Sequence, residues 1–322
     1  MAQEQGHRPP QTGLLSFLPA RWVPFAELMR LDRPAGWFAF YWPYALGLAF
    51  SATLSERILT PIELLKLAGY LAAWMVVLRG ATCAINDIFD QEYDRKVART
   101  RSRPLARGAV STAEATAFTV LLYLVEVVML LPLPSPVMMY AVLTNTILSV
   151  YPLGKRVTDF PQVILGFGFA VAVPLAVAVV EVDPLAGENR TAVLSLCGVC
   201  VLWTIVFDTV YAFQDITDDV KVGVRSLAIY LGRNAKLVFS VLATCQTALL
   251  VALGCQYAFS LVYFALSCAG TGLTLICMLV WVDLEVPSSC AWWFGPGAVL
   301  VEAFMISGFV VEYARRYCLV GL

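Results

Sequence analysis

The sequence predicts an all-α, polytopic membrane protein, and three observations lead to that prediction. Of its 322 residues, 60% are hydrophobic and only 14% are charged, and the mean hydropathy is +0.76, which is far outside the range of soluble domains. Apolar windows long enough to cross a bilayer recur along the whole chain. The basic residues lie mainly in short loops between those windows, so a nucleic-acid partner is not expected.

Nine windows of about 20 residues are predicted to span the lipid bilayer. They cover residues 36–55, 63–86, 112–132, 136–153, 160–181, 192–215, 236–256, 259–282 and 297–318. The second and sixth windows both end in an acidic stretch that is followed by basic residues and a glycine. This weak internal repeat suggests two four-helix halves plus a ninth helix, with a site between the halves.

Residues 1–27 are predicted to be a polar cytosolic leader, and residues 28–322 a single transmembrane domain. Met1 to Gly13 is polar, and the apolar patch from Leu14 to Leu18 is too short for a signal core. We therefore expect a short disordered leader. The segment from Leu28 to Pro34 precedes the first window and has the character of an interfacial segment.

The positions of lysine and arginine predict the orientation in the membrane. With a cytosolic N-terminus, the cytosolic side receives most loop cations, including the six between Arg95 and Arg107. The opposite side holds Arg57, Lys66 and Arg190 in its loops, plus Arg315 and Arg316 at the tail. Both acidic stretches then face the cytosol. The leader also lacks the Arg-rich amphipathic pattern of a mitochondrial presequence, so we expect the endoplasmic reticulum.

The first acidic stretch closes the second window. Asp87, Asp90 and Asp94 are spaced i, i+3 and i+7, so a continuing helix places them on one face. Three carboxylates at a membrane boundary repel one another and are costly to desolvate, and a divalent cation relieves both costs. Such hard oxygen ligands suit Mg²⁺, which often bridges to substrate phosphates. Asn86 is expected to hold an aspartate or a metal-bound water.

The second acidic stretch closes the sixth window. Asp208, Asp215 and Asp219 are spaced i, i+7 and i+11, again on one helical face. Asp215 and Asp219 are predicted metal ligands, and two acidic helix ends that face each other would hold a diphosphate through metal ions. The basic run after the first stretch would clamp its phosphates. Tyr211 and Gln214 would hydrogen-bond a substrate or, alternatively, pack against neighbouring helices.

Composition excludes another kind of catalytic site. The single histidine is His7 in the leader, so histidine-based metal centres and catalytic triads are not expected. The nine cysteines lie mostly inside apolar windows and are interpreted as small buried membrane residues.

At these acidic and basic residues the chain resembles the UbiA superfamily of intramembrane prenyltransferases. Four motifs spread over most of the chain carry the resemblance: Asn86-Asp87-x-x-Asp90-x-x-x-Asp94, Arg99-Thr-Arg101-Ser-Arg103-Pro104-Leu105, Tyr151-Pro-Leu-Gly-Lys155-Arg156 and Tyr211-Ala-x-Gln214-Asp215-x-x-Asp218-Asp219. The last motif is most similar to the 4-hydroxybenzoate polyprenyltransferase branch. The resemblance implies nine transmembrane helices around a central cavity, Mg²⁺, an isoprenoid diphosphate donor and an aromatic acceptor.

The resemblance also implies roles for the basic residues. Arg99 and Arg103 match the family pattern and are expected to bind the donor phosphates. Tyr151 and Lys155 are expected beside them as further substrate-binding residues.

Two residues deeper in the bilayer are expected to face the acceptor. Asp208 would contact the acceptor ring or shape the electric field there. Arg79 lies on the same helix face as Asn86, and an arginine within the bilayer needs a partner. That partner is either the acceptor's carboxylate or phenolate, or a protein carboxylate in an internal salt bridge.

Several functions remain open within and beyond this family. The fungal enzymes that farnesylate polyketide-derived phenols in meroterpenoid pathways are the preferred match, since residues 287–294 also resemble that group. The predicted reaction is Mg²⁺-dependent transfer of a farnesyl group to a ring carbon of a phenolic acceptor. The alternatives are 4-hydroxybenzoate prenylation for ubiquinone and a membrane terpene cyclase. A transporter of anionic substrates is disfavoured, because its acidic residues would tend to be scattered through broken helices.

Overall fold

The computed structural model describes residues 12–33, 35–187 and 189–320. Within these ranges the regular structure is helical and no strand occurs, which confirms the all-α prediction. The helices are α1 Val23–Leu28, α2 Ala35–Leu54, α3 Pro61–Asp94, α4 Thr112–Leu130, α5 Ser135–Val157, α6 Pro161–Ala170, α7 Ala172–Val179, α8 Asn189–Ala212, α9 Ile216–Val222, α10 Leu227–Leu231, α11 Ala235–Gln256, α12 Leu261–Tyr263, α13 Thr271–Trp281, α14 Pro287–Trp292 and α15 Ala298–Val320.

Eight helical stretches within the described ranges are long and apolar enough to cross a bilayer, so this is an integral, multi-pass membrane protein. They are 61–94, 112–130, 135–157, 161–179, 189–221, 227–256, 261–281 and 287–319. The predicted count of nine is not confirmed, because α2 is not among them. It has 20 residues, but the polar groups of its tryptophans and tyrosines lower its hydropathy.

Close helix packing surrounds α2 and α8. α2 packs on α7 and α15, while α8 packs on α6 and α11. Gly47 permits the first approach, since an added Cβ there would lie 3.0 Å from the Val173 backbone. Gly166 permits the second, where a Cβ would lie 3.2 Å from the Val201 backbone. Small residues at such contacts are typical of membrane proteins, whose helices associate largely through close packing.

The N-terminal segment is more ordered than the sequence predicts. Residues 1–11 lie outside the described ranges, but Leu14–Phe17 forms a 3₁₀ turn and α1 follows it. Leu15, Val23 and Ala26 form a small buried cluster, so the expectation of a disordered leader is wrong for this part. These apolar residues come from two short helical segments that pack against each other. Their separation along the chain gives no periodic pattern from which this packing could be predicted.

The two acidic stretches end their helices differently. α3 begins with a capping box between Thr60 and Glu63 and continues without a break to Asp94, as the aspartate spacing predicts. α8 ends at Ala212, and a 3₁₀ turn, Phe213–Asp215, leads into α9. The predicted continuous helix from Asp208 to Asp219 is therefore wrong, because a 3₁₀ turn interrupts it, but Asp208, Asp215 and Asp219 still line one cleft.

Candidate active site

A polar cleft lies where the acidic ends of α3 and α8 meet the end of α5. It spans about 890 Å³, including space open to solvent, and receives side chains from both acidic stretches. Those carboxylates belong to Asp90, Asp94, Asp208, Asp215 and Asp219. Arg99, Arg103 and Lys155 lie in the same wall, so residues far apart in sequence form one charged surface.

Cations hold the first acidic stretch in place. The Arg103 Nη1 atom donates to Asp94 at 2.8 and 3.1 Å and to Asp87 at 3.1 Å. Lys155 Nζ of α5 donates to Asp90 at 3.2 Å. Charge-assisted hydrogen bonds of this kind are stronger than neutral ones, so the loop after α3 is tied back onto that helix.

Arg99 joins the first basic run to the second acidic stretch. Its Nε atom lies 2.9 and 2.7 Å from the two Asp215 carboxylate oxygens, and its Nη1 atom donates to the Tyr211 hydroxyl at 2.7 Å. The guanidinium also lies over the Tyr211 ring, 5.1 Å from its centroid. Arg99 therefore ties the basic run that follows the first acidic stretch to the second acidic stretch.

The Arg99 and Arg103 guanidinium groups both stay positively charged, because their pKa values are raised above the ordinary value. Burial by itself disfavours the charged form of Arg99, but Tyr211 and Asp215 raise the pKa of that guanidinium above its ordinary value. For Arg103, burial has the same opposing effect, and Asp87 and Asp94 raise its pKa above the ordinary value.

The carboxylates suit a divalent cation only in part. Within the described ranges no three acidic side chains converge on a metal-binding position, so the predicted metal-ligand set of Asp87, Asp90, Asp94, Asp215 and Asp219 is not preassembled. The physical reason is that Arg99, Arg103 and Lys155 lie between them.

One observation nevertheless favours a cation that substrate phosphates would help to hold. Asp219 lines the cleft, and no basic side chain within the described ranges lies within ion-pair distance of it. Oxygen ligands completed by phosphates and waters are the usual environment of Mg²⁺, so Asp219 fits that ion. The buried Asp87 Oδ2 atom has no hydrogen-bond partner, but Asp87 does not line the cleft.

A second space, which we call the chamber, lies beside the cleft and spans about 1240 Å³, including its open part. Along α3 the chamber touches Arg79, Thr82, Cys83 and Asn86, whereas the cleft touches Asp90, Tyr93 and Asp94, so the chamber lies farther into the bilayer. Six residues line both spaces: Arg99, Arg103, Tyr151, Lys155, Asp208 and Tyr211. Asp208 accepts a 3.5 Å hydrogen bond from the Tyr151 hydroxyl at this junction.

Aromatic rings line the apolar part of the chamber. Phe40 and Phe294 belong to its wall, and the Phe294 ring centroid lies 4.2 Å from that of Tyr211. Phe40 packs edge-on against Phe169 at 4.8 Å. Phe294 is carried by a π-helical turn, Trp293–Gly297, a local irregularity that is frequent at functional sites.

Arg79 has a partner that sequence analysis did not predict. It lines the chamber, but its Nη1 and Nη2 atoms donate to the backbone carbonyls of Arg30 and Arg33 at 3.0 and 2.8 Å. Within the described ranges Arg79 forms no ion pair with a carboxylate, so the predicted salt bridge is wrong there, and two backbone carbonyls accept hydrogen bonds from the guanidinium instead. Contact with an acceptor remains a prediction.

The remaining predicted residues divide between the site and the local structure. Asn86 lines the chamber and does not line the cleft. Gln214 lines neither space, and its Nε2 atom donates to the Tyr211 carbonyl at 3.1 Å, which favours the packing alternative. Asp87 is fully buried behind the cleft wall, between Arg30 and Arg103.

Sequence analysis missed two arginines and two aromatic rings. Arg30 bonds to Asp87, and Arg33 lines the chamber with Phe40 and Phe294. The only sequence signal was the interfacial segment 28–34, where basic residues precede the first apolar window. Phe294 ends the stretch 287–294 that resembles the fungal group, but neither ring's place in the chamber wall could be predicted, because aromatics are abundant throughout the chain.

Comparison with known proteins agrees with this geometry. The chain is similar to prenyltransferase ascA of Acremonium egyptiacum, with 33% identity over 325 residues that cover 99% of this chain and 94% of the relative. It is also similar to the DMOA farnesyltransferase nvfB of Aspergillus novofumigatus, with 33% identity over 303 residues, 94% of this chain and 95% of the relative.

The fold is shared with a solved structure of a UbiA homolog from Archaeoglobus fulgidus bound to DMAPP and Mg²⁺. The TM-score is 0.67 at 16% identity, over 90% of this chain and 99% of that chain. The model of the UbiA prenyltransferase family matches residues 40–308. With a family match over most of its length and full-length relatives that are prenyltransferases, this chain belongs to the UbiA prenyltransferase family.

Proposed function

We propose that this enzyme transfers a farnesyl group from farnesyl diphosphate to a ring carbon of a phenolic, polyketide-derived acceptor. The reaction would use Mg²⁺ in an active site that faces the cytosol, in the endoplasmic reticulum membrane. The observation that carries the proposal is the continuity of a cation-rich polar cleft with an aromatic-lined chamber through six shared residues. A diphosphate suits the cleft, and an apolar tail and an aromatic ring suit the chamber.

Arg99, Arg103 and Lys155 would bind the leaving diphosphate. In the structure each of them already pairs with an aspartate, so a phosphate would share these cations with Asp215, Asp94 and Asp90. Mg²⁺ held by the aspartates and the phosphates would supply the additional positive charge that stabilises the leaving group.

The reaction would begin when the bond between the allylic carbon and the diphosphate oxygen breaks. The diphosphate keeps the electron pair, and the allylic cation would form in the chamber that Phe294 and Tyr211 line. A ring carbon ortho to a phenolic hydroxyl then forms the new carbon–carbon bond. Asp208 lies at the junction of cleft and chamber and is our candidate for accepting the displaced ring proton.

The similar proteins support the finer parts of this proposal. One relative is named a DMOA farnesyltransferase, which supports a farnesyl donor. The homolog with the shared fold was solved with DMAPP and Mg²⁺, which supports an isoprenoid diphosphate and this metal. The positions of the acidic and basic residues in this structure are a separate argument, which does not depend on the relative's name or on the homolog's ligands.

A membrane assay separates this proposal from its alternatives. Membranes that contain the enzyme would be incubated with farnesyl diphosphate, alone and with a panel of phenolic acids that includes 4-hydroxybenzoate. We expect a C-prenylated phenol with polyketide-type acceptors. A product from 4-hydroxybenzoate alone would favour the ubiquinone pathway, a hydrocarbon formed without an acceptor would favour a terpene cyclase, and no diphosphate release would contradict all three.

Replacement of Arg99 tests the diphosphate site. Arg99→Met is expected to raise the KM of the donor about tenfold or more, because a charged hydrogen bond to phosphate contributes roughly 1.5–3 kcal/mol. The acceptor KM should change little. The matched control is Arg101→Met, since Arg101 is exposed and lines neither the cleft nor the chamber. Equal donor KM values in both variants would contradict the role of Arg99.

A further inference from the structure

We propose that Arg79 is a positioning residue for the donor side of the site, where it acts through Arg30 on Asp87. This inference rests on the proposed function, because it assigns Asp87 to the donor side. It differs from the sequence-based expectation, in which Arg79 itself binds the acceptor.

The first link joins α3 to the segment before α2. Arg79 is 6% exposed, and its two terminal nitrogens donate to the carbonyls of Arg30 and Arg33 at 3.0 and 2.8 Å. Gly36 leaves room for this guanidinium, since a Cβ at that position would lie 2.6 Å from Arg79 Nη2. Arg79 therefore holds the turn between Arg30 and Arg33 against α3.

The second link is the backbone of Arg30. Its φ angle is 58°, in the left-handed region that residues with a side chain rarely adopt. Such a conformation persists where the surrounding structure imposes it. The Arg79 bond to the Arg30 carbonyl is one such restraint. The others are the backbone and Nη1 hydrogen bonds from Arg30 to the Glu27 carbonyl, at 2.9 and 3.1 Å.

The third link joins Arg30 to the cleft. With its backbone in this conformation, Arg30 reaches Asp87 with an Nη2 to Oδ1 distance of 2.5 Å. The same Asp87 oxygen accepts from Arg103, which also holds Asp94 in the cleft wall. If Arg30 moves away, the buried Asp87 keeps only Arg103 as its cation, and Arg103 is drawn away from Asp94. Loss of Arg79 should therefore weaken binding of the diphosphate donor.

A double-mutant cycle tests this chain of contacts in the full-length, detergent-purified protein. Arg79→Met, Arg30→Met and the double variant would be compared for the Kd of a farnesyl thiolodiphosphate analogue, for the KM of the acceptor and for Tm without substrates. Each single variant should weaken analogue binding about tenfold. The double variant should be no weaker than Arg30→Met alone, and the acceptor KM should stay within about twofold.

Two further variants separate a positioning role from a general loss of folding. Arg30→Gly accepts the left-handed backbone without strain and removes only the side chain, so it should weaken analogue binding as Arg30→Met does. Arg21→Met is the matched control, because Arg21 is an exposed arginine of the same N-terminal region and should bind the analogue like the wild type.

The outcomes that overturn the inference are distinct from those that overturn the proposed function. A higher acceptor KM in Arg79→Met with an unchanged analogue Kd would restore the acceptor-binding role. Additive losses of Tm across the cycle would show that Arg79 does not act through Arg30. If the wild type binds the analogue and all variants bind it equally well, only this inference falls. If the wild type fails to bind it, the proposed function falls, and the donor-side role falls with it.

Discussion

Replacing Asp90 or Asp215 with alanine is expected to reduce kcat by about 10²–10³-fold, the range seen when one group that stabilises transition-state charge is removed. Asp90 lies in the cleft wall and pairs with Lys155, while Asp215 lies in the same wall and pairs with Arg99. Each substitution removes an oxygen that would help to hold the metal. It also frees the paired cation from the position in which it would meet the diphosphate.

Matched acidic controls lie close to both residues in sequence. Glu92 is exposed and pairs with Arg95, and Asp218 pairs with Lys221. Neither of them lines the cleft. Glu92→Ala and Asp218→Ala should therefore keep turnover within about twofold of the wild type, as is usual for surface ion pairs of small energetic value. Wild-type kcat in either Asp90→Ala or Asp215→Ala, with the protein inserted in the membrane, would contradict a site shared by the two acidic stretches.

Chelation of divalent cations is expected to lower turnover at least about a hundredfold, in line with the several kcal/mol that a metal ion supplies to developing charge. The structure refines the reason. Asp87, Asp90, Asp94 and Asp215 each pair with a basic side chain. The protein's own cations are thus already shared with its carboxylates, and a bound diphosphate adds further negative charge.

The measurement is product formation in EDTA, followed by titration with Mg²⁺. Activity should return as free Mg²⁺ rises. Binding of the farnesyl thiolodiphosphate analogue should show the same dependence, which gives a second readout that does not require turnover. Full turnover in excess chelator would contradict the metal assignment.

The periodicity of the sequence was sufficient to predict α3 as a helix that carries three aspartates on one face. Asp87, Asp90 and Asp94 do lie on an unbroken helix that ends at Asp94. After Asp208 a 3₁₀ turn separates α8 from α9 and interrupts the predicted single helix, although Asp208, Asp215 and Asp219 still line one cleft. Spacing predicts which residues share a helix face only while the helix continues, and a local tightening leaves no periodic signal.

Composition, charge distribution and motif spacing by themselves determined that this is a helical membrane protein with two acidic helix ends beside a basic loop. These properties follow from local chemistry, because a bilayer requires long apolar helices and places charged residues at their ends. Only the tertiary structure decided the partners of those charges. Arg99 meets Asp215 across 116 residues of chain, and Arg79 meets the Arg30 and Arg33 carbonyls. Such pairs depend on how helices pack and on which buried groups remain unsatisfied, and neither is encoded in the spacing along one helix.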